Sequence, residues 1–128
     1  MLIEKYNLHS RVELLGALKH SEVRDVLCRG HIFLNTSLTE SFCIAILEAA
    51  CCGLFVVSTD VGGVPEVLPP HMVLLARPDE NLLFKQLCIA IQKVNEIDTS
   101  NFYKECRSIY SWYQISERTE AVYDYVME

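Results

Sequence analysis

A chain of 128 residues, 51% apolar and 22% charged, holds enough material for one globular domain with a core. Its formal charge of −6, with no basic stripe interleaved with aromatics, argues against a nucleic-acid backbone or an anionic membrane surface as the main partner. No apolar run reaches the roughly 18 residues of a membrane span, and no basic-then-apolar export signal opens the chain.

Residues 2–6 have the pattern of the end of a helix that begins upstream, with Asn7 as its cap. Residues 12–15 form a short strand ended by Gly16. Ser21, with Glu22 in the following turn, caps a helix whose inner stripe is Val23, Val26 and Leu27. Residues 31–35 are almost continuously apolar, as a buried parallel strand is. A helix over residues 41–52 follows and stops at Gly53. Residues 54–58, rich in β-branched and aromatic side chains, make the next strand. A turn over 60–65 ends it, and residues 66–68 form at most one helical turn before Pro69 and Pro70. Residues 72–76 are a further strand. Asp79 caps a helix that carries Leu83, Leu87, Ile91 and Val94 on one side. A last helical region, holding Trp112 and several tyrosines, starts at Asp98, Thr99 or Ser100.

Strands alternating with helices over short connections mean an α/β fold, a parallel sheet flanked by helices. Ligands of such sheets sit outside the C-terminal strand ends. The strand ends at residues 15–17, 35–37 and 58–60 are polar or small, as a crevice requires. Six cysteines (Cys28, Cys43, Cys51, Cys52, Cys88 and Cys106) show no C-x-x-C pair and no Cys/His metal spacing, and reduced, buried thiols are the expected state. His9, His20, His31 and His71 show no metal pattern either, and nothing arranges Ser, His and Asp as a triad.

The stretch from Ser37 to Gly53 is where chemistry concentrates. Glu40 lies just ahead of the expected helix and Glu48 within it, roughly 12 Å further along the axis at about 1.5 Å per residue. Between them the first helical turn offers unpaired backbone N–H groups around Phe42, Cys43 and Ile44, which is an anion site. Carboxylate, anion site and second carboxylate on one line suit a ligand with hydroxyls at each end and phosphates between, the shape of a nucleotide-sugar. In isolation Glu40 reads as a carboxylate favoured by a helix N-terminus. Glu48 in isolation reads as a surface position or an ion pair, although an unpaired charge among so many apolar neighbours is costly.

Glu-x7-Glu, then Ala-Ala-x-x-Gly, an apolar strand and the Gly62-Gly63-Val-Pro-Glu66 turn together resemble the retaining glycosyltransferases built from two Rossmann-like domains, the GT-B type. The run from His9 to Leu27 and the ending from Ser116 to Tyr123 narrow the resemblance to the phosphatidylinositol N-acetylglucosaminyltransferase catalytic-subunit family, which opens glycosylphosphatidylinositol (GPI) anchor synthesis. The resemblance covers nearly the whole chain. It implies that residues 1–128 are the C-terminal, donor-binding domain, Rossmann-like but incomplete. The first strand of that domain and the N-terminal acceptor domain would lie upstream.

The resemblance also implies roles. Glu40 positions the transferred sugar and supports the oxocarbenium-like centre, with no protein nucleophile assigned. Ser41, Phe42, Cys43 and Ile44 hold the diphosphate through backbone N–H groups, Ser41 adding a hydroxyl. Glu48 accepts hydrogen bonds from the two ribose hydroxyls. Gly16 and Leu18 lie near the base, and Gly62 and Gly63 support the pocket wall. Many relatives carry glycine where Cys43 stands, a departure the anchor-synthesis branch tolerates. The donor is UDP-N-acetylglucosamine (UDP-GlcNAc) and the acceptor is phosphatidylinositol, held through the absent domain. Neither a cofactor nor a metal is expected. The implied setting is a multisubunit complex on the cytosolic face of the endoplasmic reticulum membrane. The basic residues that neutralise the diphosphate in the family lie upstream, so the chain alone is expected to be inactive. The alternative is a non-catalytic interaction module of the same complex, favoured by exposed apolar area.

Overall fold

The structure, a computed structural model, describes residues 2–127. Its elements are α1 (Leu2–Lys5), α2 (His20–Leu27), β1 (Ile32–Asn35), α3 (Ile44–Cys51), β2 (Phe55–Thr59), a 3-10 turn (Val64–Glu66), β3 (Val73–Ala76), α4 (Glu80–Lys93), α5 (Phe102–Ile109) and α6 (Trp112–Met127). The three strands are parallel in the order β1-β2-β3, with Ile32 opposite Phe55 and Val56 opposite Val73.

β2 is buried at all five positions, so both of its faces are covered, which is why Phe-Val-Val leads it rather than an alternating pattern. α3 packs on β1 and β2 and is backed by α5, while α4 packs on all three strands. α3 buries Ile46, Ala49 and Ala50, a stripe at helical spacing whose two alanines let the helix approach the sheet closely. α5 contributes Phe102 and Cys106, four residues apart on one face. A side chain as enclosed as Ile46 or Phe102 stabilises the fold by about 1.5–3 kcal/mol.

Helix ends follow local chemistry. The Asp79 carboxylate accepts the N–H groups of Asn81 and Leu82 at 3.0 and 2.9 Å, fixing the start of α4. At the end of α3, Gly53 takes φ +82°, its N–H bonds to Ala50 and the N–H of Leu54 reaches Ala49, a Schellman closure. Asn7, at φ +52°, closes α1 with the same pair of bonds.

Several expectations are corrected. Residues 12–15 are not a strand. They are exposed and belong to no strand of the sheet, with the Glu13–Arg29 ion pair at 2.7 Å as a tether. α2 starts at His20, not after Ser21, because the Glu22 carboxylate turns back to accept the Lys19 N–H at 2.9 Å. α3 starts at Ile44, not Ser41, because Cys43 is left-handed. On α4, Ala90 and not Ile91 faces the core, Ile91 being exposed. The last helical region starts at Phe102 after Asn101 and divides at Tyr110–Ser111, while Asp98 instead accepts the Ser100 N–H in a local turn. The thiols are not uniformly buried: Cys43 and Cys106 are, Cys51, Cys52 and Cys88 are half-buried, and Cys28 is exposed.

Candidate functional site

The loop from β1 to α3 is held at its base by the strand ends. Asn35 donates from Nδ2 to Ser58 Oγ at 3.0 Å and accepts from Ser37 Oγ at 2.9 Å, while Thr59 Oγ1 donates to the Ser37 carbonyl at 2.6 Å. Ser58 and Thr59 are buried, so these bonds are needed to offset the desolvation of both hydroxyls. The polar strand ends therefore anchor the loop from within, and Thr36 and Thr59 also line a cavity of about 220 Å³ with Leu38 and Leu83.

From there the chain passes over the Gly62-Gly63 turn. A Cβ on Gly62 would overlap the Glu40 carbonyl oxygen, and a Cβ on Gly63 would overlap that of Ser41. Gly62 also takes φ +54°, which L side chains disfavour. The two glycines let the Glu40–Ser41 backbone lie directly on the turn, and Glu40 is left half-buried.

Cys43 comes next with φ +64° and ψ +69°, the left-handed region, at a cost of about 1–2 kcal/mol for an L-residue. The kink ends the loop and aims α3. No side chain caps α3, and the Ile46 N–H is taken by the Cys43 carbonyl at 3.1 Å. The N–H groups of Ile44 and Ala45 have no carbonyl partner within the helix, that of Ala45 being directed at the Cys43 sulfur. Burial pushes the Cys43 thiol up from its ordinary value, the Ile46 N–H pulling against this and the Glu40 carboxylate reinforcing it. The thiol is buried in the core cluster, where it packs as a small apolar group.

Glu48, one turn further along α3, lines a cavity of about 200 Å³ between α2 and α3, together with His20, Val23, Arg24, Leu27, Cys51 and Cys52. That volume falls below the roughly 300–1,000 Å³ of a complete small-molecule pocket. One carboxylate and one guanidinium stand on an otherwise mainly apolar wall. Chemically this is a hydroxyl-accepting group beside a cation, with the uncapped start of α3 on the same helix as Glu48.

The remaining expected residues divide. Ser41 and Ile44 are exposed on either side of the kink. Phe42 turns its ring away to meet Tyr110 edge-on at 5.5 Å and lines a larger open groove of about 630 Å³ against Ile115, Arg118 and Val122 of α6, so only its backbone is left for the loop. Gly16, at φ +67° in open space, and Leu18 do not line the Glu48 cavity, although Leu18 lies two residues before His20, which does. Sequence reasoning missed His20 and Arg24. Their four-residue spacing, facing the cavity from one side of α2, was the available signal. Among the described residues no three His, Cys, Asp or Glu side chains stand close enough to hold a metal ion.

This three-stranded parallel sheet flanked by helices has the architecture of a Rossmann-like glycosyltransferase domain. Residues 2–93 match the family model for glycosyl transferases group 1, and the chain belongs to that family. It is 55% identical over 121 residues to a phosphatidylinositol N-acetylglucosaminyltransferase subunit of Arabidopsis thaliana, a match that covers 94% of this chain and 27% of that protein. The Homo sapiens protein of the same name is 51% identical over 130 residues, 96% of this chain and 26% of its own length. The gpi3 subunit of the Schizosaccharomyces pombe transferase is 53% identical over 123 residues, 94% of this chain and 27% of that protein. The chain thus spans about a quarter of the length of the curated relatives it matches. Among solved structures, sucrose-phosphate synthase of Thermosynechococcus elongatus superposes with a TM-score of 0.78 at 24% identity, over 98% of this chain and 33% of that one. That likeness shows the Rossmann-like glycosyltransferase fold expected from the sequence.

Proposed function

We propose that these residues are the donor-binding part of a phosphatidylinositol N-acetylglucosaminyltransferase catalytic subunit. In this reading the chain holds UDP-GlcNAc, and an acceptor-holding domain outside these 128 residues brings phosphatidylinositol to it. The product of the retaining transfer is the first intermediate of GPI-anchor synthesis. The observation that carries the reading is Glu48 lining the cavity between α2 and α3, on the helix whose uncapped start follows the Cys43 kink. The names of the relatives supply the donor sugar and the acceptor.

Each group then has a task. The Glu48 carboxylate accepts the ribose hydroxyls, and Arg24 adds positive charge on the same wall. The Ile44 and Ala45 N–H groups, with the start of α3 behind them, receive the diphosphate. Glu40 accepts sugar hydroxyls and stabilises positive charge as the bond to phosphate breaks, and Ser41 adds a hydroxyl beside it. Gly62 and Gly63 hold the Glu40–Ser41 backbone in place for this. No metal or cofactor has a part. The remaining subunits of the transferase complex are the protein partners, and the endoplasmic reticulum membrane, on its cytosolic face, is the setting. No helix of the described residues is long and apolar enough to cross a membrane.

A second reading, an interaction module that does not bind donor, is favoured by α6, which buries no residue and exposes Trp112, Tyr113 and Tyr125. Calorimetric titration with UDP-GlcNAc and with UDP separates the two. The donor reading expects binding by the wild-type chain that Glu48→Ala weakens ten- to a hundredfold, the loss of charge-assisted hydrogen bonds worth about 1.5–3 kcal/mol. A folded wild-type chain that binds neither ligand overturns it in favour of the module.

A further inference from the structure

Thiols gather at the far end of the Glu48 cavity. A second cavity, of about 550 Å³, is lined by Arg24, Cys28, Cys51, Cys52 and Tyr103, and it shares Arg24, Cys51 and Cys52 with the first. Cys28 is the C-terminal cap of α2 and Cys52 that of α3, so the two helix ends meet through these side chains. Cys28 is exposed, which gives a dissolved reagent access, and Cys52 is half-buried behind it. Burial pushes the Cys52 thiol up, and the neighbouring Cys28 adds to this, which reflects how close the two groups stand.

α2 is a lightly packed element that a fastening here would hold. It buries no residue, and its ion pair just beyond the cap, Arg29 to Glu13, is solvent-exposed on both sides. An exposed ion pair of this kind holds little. The α2 wall of the Glu48 cavity is therefore lightly held while the thiols are reduced.

We propose that Cys28 and Cys52 are a dithiol–disulfide pair that fastens α2 to α3, taking a low-molecular-weight disulfide such as oxidised glutathione as its oxidant. The Cys28 thiolate attacks one sulfur of the glutathione disulfide, forming a mixed disulfide and releasing one glutathione thiolate. The Cys52 thiolate then attacks the Cys28 sulfur, closing the Cys28–Cys52 bond and releasing the second glutathione. Both protein thiols are oxidised, both glutathione sulfurs are reduced, and the two thiol protons pass to the two departing thiolates. Excess reduced glutathione or dithiothreitol reverses the sequence. The pairing is independent of the donor reading and stands whether or not the chain binds UDP.

The test incubates the purified chain with oxidised glutathione, digests it without reduction and maps the linked peptides by mass. A peptide joining Cys28 to Cys52 is expected, lost on dithiothreitol treatment and absent from Cys28→Ser and from Cys52→Ser. The bridged chain should melt higher by on the order of 10 °C, since the bond closes a loop of about two dozen residues across β1 and α3. Cys28→Ser, at an exposed position, should fold as the wild type does and show no such rise. Glutathione retained on Cys28 without a bridge, or a bridge joining Cys51 to Cys106, overturns the proposal.

Discussion

Gly62→Ala tests how the loop carrying Glu40 is held. Gly62 takes φ +54°, so alanine there costs about 1–2 kcal/mol in backbone conformation alone. Its Cβ would also overlap the Glu40 carbonyl oxygen, and relieving that overlap needs a backbone shift of the overpacking kind, about 1–3 kcal/mol more. The expected loss is roughly 2–5 kcal/mol, a large part of the 5–15 kcal/mol typical of a domain. Gly16→Ala is the matched control, because Gly16 has a similar φ of +67° with nothing within 4 Å of a Cβ. It should lose only the conformational part, about 1–2 kcal/mol or less in so exposed a loop. Urea unfolding of both variants measures the difference, and it should favour Gly16→Ala by at least about 1 kcal/mol. Equal losses would refute the argument that backbone contact at Glu40, rather than φ alone, demands glycine at position 62.

Cys43→Gly relieves the left-handed strain but removes a buried thiol, so its stability should stay within about 1 kcal/mol of wild type. Cys43→Val forces a β-branched residue into the same conformation and should lose about 2 kcal/mol or more in urea unfolding. Asp79→Ala removes the acceptor for two N–H groups at the start of α4 and should cost about 1 kcal/mol by the same measurement. Burial pushes the Cys106 thiol up to about 12, against an ordinary value of 9.0. Its folded value is the raised one, so its contribution is complete below about pH 9 and is lost as pH rises toward 12. Stability should fall across that window by up to about 1.4 kcal/mol per pH unit, and Cys106→Ala should flatten the slope in alkaline urea titrations.

The elements that lie in the core were legible because burial writes a continuous pattern. The apolar runs around Ile32, Val56 and Val73 announced three parallel strands, and Asp79 and Gly53 marked helix ends through their own side-chain and backbone chemistry. Residues 12–15 failed because their apolar side chains imitate a strand, while a strand needs a neighbour and none adjoins the β1 edge. The start of α3 was misplaced for a different reason. Nothing in a cysteine announces positive φ, and the need for it at position 43 arises from the way the loop crosses Gly62 and Gly63. The same limit applied at the site. Glu40 and Glu48 were visible by spacing, whereas the wall that faces Glu48 comes from α2, which contributes His20 and Arg24 from more than twenty residues away. The exposure of Cys28 was equally hidden, since the cap of a lightly packed helix has the same local sequence as the cap of a buried one.

Whether Glu48 and the start of α3 form a nucleotide half-site is tested most directly by a crystal structure of the chain with UDP. Both ribose hydroxyls are expected within about 2.5–3.0 Å of the Glu48 carboxylate and diphosphate oxygens on the Ile44 and Ala45 N–H groups, with the nucleoside between α2 and α3. UDP seated elsewhere, for instance in the Phe42–Val122 groove against α6 with Glu48 left free, would contradict it.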